Sequence, residues 1–364
     1  MRKVYLDRST LLQLVRLGID HLSIIPEVID WLSIYSLSVK QGVLAIVWDG
    51  ILKLSDQGLL VDGRALDVQL KKQWIGTVFY NYEGKYSDYR KTIGKLSAFY
   101  NRHGFKLMVL KGYGLSLNYP VPEHRPCGDI DIWAFGRYRD ADNALSKECS
   151  IPIDYSHHHH SVFLFRGFYV ENHYDFVNIH AHRSSAEIEK IFKELAKSDD
   201  FFTMIDGEKV YLPSPDLHAL FLLRHTMSHF ASTSMSLRQI LDWAFFVEKN
   251  TESIHWDWLL DILEQFHMVD FFYCMNAICI EDLGFDSSIF PSNPSSLALK
   301  ERVLADTLSP EFNDPYPSGS FARILFRFRR WLANNWKQRM CYRESLVESF
   351  LSLGWSHIVG PKNK

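Results

Sequence analysis

Two aspartates, Asp129 and Asp131, stand two residues apart in the segment Asp129-Ile130-Asp131-Ile132-Trp133-Ala134-Phe135. The segment alternates at first and is rich in β-formers, so it reads as a strand. Side chains alternate along a strand, which points both carboxylates to one face. Two like charges so close repel unless a cation lies between them, and Mg²⁺ prefers carboxylate oxygens. Upstream, the apolar run Leu107-Met108-Val109-Leu110 leads into Lys111-Gly112-Tyr113-Gly114. The glycines permit close backbone approach, and a helix beginning there presents free N–H groups, the makings of a phosphate cradle. A third carboxylate, Glu171, lies on a later predicted strand and would complete a cluster able to hold one or two metal ions. Two metals can clamp the attacking and leaving oxygens of a phosphoryl or nucleotidyl transfer. Taken singly, the aspartate pair is also the pattern of a solvated strand face, and Glu171 that of an exposed strand residue.

Histidines form the second group. His157-His158-His159-His160 is an internal run, open to zinc binding, to substrate or nucleotide contact, or to a plain surface loop. Adjacent residues on a strand cannot all face one ion, so a loop beside an acidic pocket is the expected place. His173 shares a strand face with Glu171 and can orient that carboxylate. His225 and His229 are four apart on a predicted helix and share a face. With Asp242 they suggest a metal-dependent hydrolase, but no adjacent His-Asp pair and no H-E-x-x-H motif occurs, and packing against the core is expected. Arg238 and Asp242 have the spacing of a helix-surface ion pair, or of a pair that closes a cleft. No serine or cysteine nucleophile arrangement is apparent.

The elements that must position these residues fall into three stretches. Residues 1–103 read as helical, with stripes such as Leu11, Leu14 and Val15 at three- and four-residue spacing; Gly84 marks a candidate break in a helical segment from Asp67 to Tyr100. Residues 104–212 read as an α+β core: strands at Phe105–Leu110 and Asp129–Phe135, a helix over Arg137–Cys149, a hairpin of Val162–Phe165 and Phe168–Phe176 turning at Arg166-Gly167, a helix capped by Ser184 with Glu187 three residues on, and a last strand at Lys209–Leu212. Residues 213–364 read as helical again, over Asp216–Phe230, Leu237–Lys249, Trp256–Phe266 and Phe271–Leu283, with loops at Ser287–Ser296 and Ser309–Ser320. From Phe321 one long helix or two are expected. In Arg323–Arg343 the basic residues Arg323, Arg327, Arg329, Arg330, Lys337, Arg339 and Arg343 interleave with Phe326, Phe328, Trp331, Leu332 and Trp336. Such a segment can meet an anionic partner, or pack its aromatics on the core with its cations in water, which is the expectation here.

Composition bounds the rest. The chain has 364 residues, 47% hydrophobic and 23% charged, which suits a globular protein of two or three domains. A formal net charge of −3 is not that of a general nucleic-acid binder. The five cysteines are odd in number and lack a CxxC pair, which disfavours a disulfide framework and a cysteine zinc site. With no apolar run of transmembrane length and no signal-like start, a cytoplasmic location is expected.

Val109-Leu110-Lys111-Gly112, Tyr119-Pro120 and Arg125-Pro126-Cys127-Gly128-Asp129-Ile130-Asp131-Ile132 together resemble the pattern of the uncharacterised nucleotidyltransferase family, within the polymerase-β-like nucleotidyltransferase superfamily. Tyr169-Val170-Glu171-Asn172-His173, after the histidine run, resembles its V-E-x-H strand. Leu223-Arg224-His225 and Leu237-Arg238-Gln239-Ile240-Leu241-Asp242 resemble its helical continuation. The superfamily commonly has Gly-Ser at the turn, where this chain has Gly112-Tyr113. The resemblance implies an α+β fold, a small mixed sheet between two helical regions. It implies Asp129 and Asp131 as Mg²⁺ ligands and Glu171 as third acid, ligand or general base. Lys111 and Arg125 would neutralise phosphate, and the Gly112 and Tyr113 amides would touch it. His158, His159, His173, Arg238 and Asp242 would stand around these residues. The implied reaction moves a nucleoside monophosphate from an NTP (ATP or another) to an acceptor, a small molecule or protein more readily than RNA. The alternative is a catalytically silent nucleotide- or protein-binding module on the same fold.

Overall fold

Short polar residues start the helices ahead of the sheet. Asp30 accepts from the Ser33 amide at 3.2 Å to begin Trp31–Gln41. Asp67 accepts from the Gln69 and Leu70 amides to begin Val68–Thr77. The computed structural model describes residues 2–291 and 297–344. In it the expected break at Gly84 does not occur. Val78–Gly84 forms a wide π-helical stretch, Gly84 keeps helical angles (φ −60°, ψ −47°), and Lys85–Arg102 continues the run.

Six strands form one mixed sheet: β1 (Met108–Val109), β2 (Ile130–Trp133), β3 (His160–Phe165), β4 (Phe168–His173), β5 (Phe202–Ile205) and β6 (Glu208–Tyr211), in the order β3-β4-β2-β1-β6-β5. The fold is α+β, with helices flanking the sheet. Pairs β1–β6 and β2–β4 are parallel and the rest antiparallel. Both hairpins turn on two left-handed residues, Arg166-Gly167 and Asp206-Gly207, as a two-residue connection requires. Strand β5 has no counterpart in the sequence reading. It is an edge strand that leaves Phe202 and Met204 exposed, so its outward positions carry no polar pattern. Strand β4 stops at His173 and not at Phe176, because the Tyr174 and Asp175 amides turn to the His159 carbonyl. Ser184 precedes the helix Ser185–Leu195 without a side-chain cap; its own amide donates to Glu344.

Alternation along the strands divides the sheet into two faces. Val109, Ile130, Ile132, Phe163 and Val170 pack on one face against the helix Lys85–Arg102. Met108, Leu110 and Trp133 belong to a larger core with the N-terminal helices and the helix Pro215–Ser232. Ser214 accepts from the Leu217 amide, Pro215 occupies the first turn, and the helix that follows is buried along most of its length. Asp131, Glu171 and His173 alternate with the apolar residues and so face this second helix side.

At the C-terminal end, Leu297–Leu308 is a helix that the sequence reading passed over. The basic segment forms two helices, Ser320–Ala333 and Asn335–Cys341. The expected packing holds only in part: Phe328 and Leu332 are exposed, as are Phe321, Ile324 and Leu325, whereas Phe326 meets the Phe312 and Tyr316 rings and Trp336 packs against the core. Lys337, read as a surface cation, is wholly buried, 2.6 Å from Asp306 and bonded to the Thr233 carbonyl. The expectations for 292–296 and beyond Glu344 lie outside the described residues. Among the described residues no helix is long and apolar enough to cross a membrane.

Two outcomes follow from this packing. Asp306→Ala leaves the Lys337 ammonium buried without its partner and should cost roughly 3–5 kcal/mol in urea unfolding, whereas Asp314→Ala, at the exposed Arg329 pair, should cost about 1 kcal/mol or less. Burial beside Phe246 pushes the His218 imidazole down to about 4. Below its ordinary value the unfolded chain takes up a proton that the folded chain refuses, so stability falls with pH. Between pH 8 and 5 this one group should remove about 2 kcal/mol, and His218→Gln should flatten that part of the profile.

Candidate active site

Strands β2 and β4 run parallel with Asp131 and Glu171 as direct register partners. On the far side of β4, antiparallel β3 sets His160 opposite His173. Asp131, Glu171, His160 and His173 thus share one sheet face through backbone pairing alone. Asp129 precedes β2, is exposed, and lines the same cleft.

The turn after β1 brings up the compensating charge. Gly112 has φ 52° and ψ −107°, and a Cβ there would lie 2.1 Å from the Tyr89 hydroxyl. That hydroxyl donates to the Asp129 carbonyl at 2.9 Å, so the turn and the start of β2 share one anchor. Glycine is required here by backbone angle and by space. Lys111, just before the turn, places its ammonium 2.7 Å from Asp131. It also lies 3.4 Å from His225 Nε2, which is 3.0 Å from His229 Nε2. An ammonium only donates, so His225 Nε2 accepts and His229 is the other donor. The Tyr113 ring turns away into the core, tilted against Tyr86 at 6.0 Å.

Burial would raise the Asp131 carboxyl, but Lys111 and His173 hold it well below the usual carboxylate range. Burial, and then the neighbouring Asp131 charge, push the Glu171 carboxyl up. His173 Nδ1 lies 3.2 Å from the Asp175 carbonyl, which can only accept, so Nδ1 carries a proton. Its Nε2 faces Asp131 at 3.3 Å and Glu171 at 3.7 Å. A bare lone pair between two carboxylates is repulsive, and a shared cation relieves it. One ligand atom each of Asp131, Glu171 and His173 lies within 4.8 Å of the others. This donor set fits a divalent cation, and a hydrogen bond from Nδ1 to a carbonyl is the support a metal-bound histidine commonly has.

Lys111, Asp129, Asp131, Glu171, His225 and His229 line a cleft of about 530 Å³, within the roughly 300–1,000 Å³ range of small-molecule sites. Its far wall is the helix Pro215–Ser232 with the start of Leu237–Asn250. Arg125 lines the cleft but is 3% exposed and holds Asp242 in a two-point pair at 2.7 and 2.9 Å. Tyr119 donates to the same carboxylate at 2.7 Å, and Arg238 lies 3.8 Å away. The Arg238–Asp242 pair is therefore present but directed inward. With both oxygens of Asp242 engaged in this clamp, the hydrolase grouping with His225 and His229 does not assemble. His158 lies beside His180. Burial, then the neighbouring imidazoles, depress His159 to about 2 and His160 to about 3.

Arg224 is the site residue that the sequence reading left unassigned. It is 2% exposed and lines the cleft. One guanidinium nitrogen reaches Ser185 at 3.3 Å, its carbon stands 4.9 Å over the Tyr342 ring, and Nη1 is buried with no hydrogen-bond partner among the described residues. Among the ion pairs of the described residues none involves it. The available signal was an arginine inside the apolar run Phe221-Leu222-Leu223-Arg224.

The family model for uncharacterised nucleotidyltransferases matches residues 27–283. The match spans the sheet, the cleft and most of the flanking helices, and the chain belongs to this family. No curated protein and no solved structure matches it.

The turn geometry yields a paired expectation. Gly112→Ala should destabilise the fold by at least roughly 1–3 kcal/mol through strain at positive φ, with the Tyr89 clash added. Removing the obstructing hydroxyl with Tyr89→Phe should be less costly in the Gly112→Ala background than in the wild type, read as a coupling energy from a double-mutant cycle by chemical denaturation.

Proposed function

We propose that the chain transfers a nucleoside monophosphate from an NTP to an acceptor hydroxyl and releases pyrophosphate. The observation that carries this reading is the register pairing of Asp131 with Glu171, with the Lys111 ammonium 2.7 Å from the former. A general nucleotidyl transfer also accords with the family.

Asp131, Glu171 and, from the lip of the cleft, Asp129 would hold Mg²⁺. When bound, the ion neutralises phosphate charge and favours in-line displacement at phosphorus. Lys111 and His173 keep Asp131 ionised. Where it does not ligate the ion, Glu171, its carboxyl pushed up by burial, is suited to take the acceptor's proton. The acceptor oxygen forms a bond to the α-phosphorus as the bond from that phosphorus to the α,β-bridging oxygen breaks, and pyrophosphate leaves with the electron pair. Arg224, with an unpaired buried N–H, and Lys111 would meet the phosphates. Arg125, already matched by Asp242, would act by holding the loop before β2 against the helix Leu237–Asn250. The acceptor is a small molecule or a protein hydroxyl in preference to RNA, because the chain carries a net charge of −3.

The competing reading, a silent nucleotide- or protein-binding module, draws on Tyr113, whose ring lies in the core at the position where the superfamily commonly has serine. Thermal shift with each NTP, with and without Mg²⁺, separates the two when combined with transfer of α-phosphate label into a size-fractionated cell extract. The expected result is an Mg²⁺-dependent rise of a few degrees for one NTP, lost in Asp129→Asn/Asp131→Asn, together with labelled product. Arg224→Gln should raise the apparent Kd for that NTP roughly tenfold or more. A shift without label transfer selects the silent module, and no shift for any NTP overturns the proposal.

A further inference from the structure

We propose that His159, His160 and His173 form a binding site for a divalent transition-metal cation of the zinc class, on the inner wall of the cleft beside Glu171. This goes beyond nucleotidyl transfer and does not rest on it: His159 and His160 have no part in that reaction, and only His173 and Glu171 border both groups.

One ring nitrogen from each of the three imidazoles lies within 4.8 Å of the others. The ring centroids are 4.4 Å apart for His159 and His160, 5.5 Å for His159 and His173, and 5.2 Å for His160 and His173. Two neighbours in the histidine run converge because the third ligand comes from across the hairpin: His160 and His173 are register partners on β3 and β4. The His159 backbone is fixed by its carbonyl, which accepts from the Tyr174 and Asp175 amides at 3.0 and 3.1 Å.

The decisive feature is unmet bonding capacity. Among the described residues, His159 Nδ1 and both ring nitrogens of His160 are buried without a hydrogen-bond partner, and His160 is 6% exposed and His173 3%. Buried polar atoms in folded proteins are almost always satisfied, and several such atoms on touching rings point to a ligand that accepts lone pairs. A fourth donor is at hand: Glu171 Oε2 is 3.8 Å from His160 Nδ1 and 3.7 Å from His173 Nε2. The His173 Nδ1 bond to the Asp175 carbonyl fixes that ring with Nε2 inward. Three imidazoles and one carboxylate suit zinc, cobalt, nickel or copper, whereas Mg²⁺ takes oxygen ligands. The cluster is thus chemically distinct from the Asp131 side of the cleft, with His173 at the boundary between them.

The test uses the full chain stripped of metal by chelator and titrated with Co²⁺ in the presence of millimolar Mg²⁺. The expected result is one equivalent of Co²⁺ with visible d–d bands of a low-coordinate nitrogen–oxygen site, displaced by Zn²⁺ and not by Mg²⁺. His159→Gln and His160→Gln should each weaken Co²⁺ binding by at least about tenfold. X-ray absorption of the zinc-loaded wild type should show imidazole scattering from at least two ligands, a readout independent of how the variants fold. Wild-type protein that binds neither ion, binding unchanged in both variants, or fewer than two imidazoles around zinc would overturn the proposal. If the Mg²⁺-dependent NTP shift persists in that case, the transferase reading stands while this one fails.

Discussion

Parallel pairing places Asp131 and Glu171 side by side on a mostly buried sheet face, and this placement of like charges constrains everything around it. Two carboxylates in a low-dielectric setting need positive charge or hydrogen-bond donors close by. Lys111 meets that need from the turn after β1 and His173 from β4, the two strands adjacent to β2. Lys111 reaches Asp131 because the chain reverses at Gly112, and it can do so only without a side chain, since the Tyr89 hydroxyl occupies that space. The strained turn, the buried tyrosine and the ion pair are consequences of one electrostatic requirement.

The wall opposite the carboxylates shows the complementary pattern. The helix Pro215–Ser232 belongs largely to the core, yet it carries Arg224, His225 and His229 into the cleft. Arg125 is matched by Asp242 and ties the loop before β2 to the next helix; Arg224 has no such match among the described residues. One buried arginine therefore serves architecture and the other is left with bonding capacity for an anion. The cleft thus sets the carboxylates of the sheet, with Lys111 beside them, against the Arg224 guanidinium on the helix, the arrangement on which the proposed nucleotide binding draws.

The histidines add a second kind of chemistry at the same wall. The carboxylates offer hard oxygen donors, and His159 Nδ1 and the two ring nitrogens of His160 are borderline donors with no hydrogen-bond partner among the described residues. His173 stands between the groups and faces both. Hairpin β3–β4 supplies this change of donor type within a few ångströms, since its two strands present alternate residues to the same face.

Much of this was legible from sequence. The strand around Asp131, the Arg166-Gly167 turn, the Lys111-Gly112 reversal, the main helices around the cleft and the family membership all depend on neighbouring residues. Alternation, glycine's access to positive φ, helical periodicity and the motif spacing are local properties, so the sequence by itself determined them. Other features belonged to the tertiary structure. Edge strand β5, the exposed stripe at Phe321–Leu332, the burial of Lys337, the diversion of Arg125 onto Asp242 and the unpaired Arg224 depend on residues far apart in the chain. So does the convergence of His159 and His160 on His173, which adjacency within the run argued against. Which charge finds a partner, and which is buried without one, is settled by long-range packing. A charged residue reads the same in sequence whether a carboxylate or an empty cleft lies across from it.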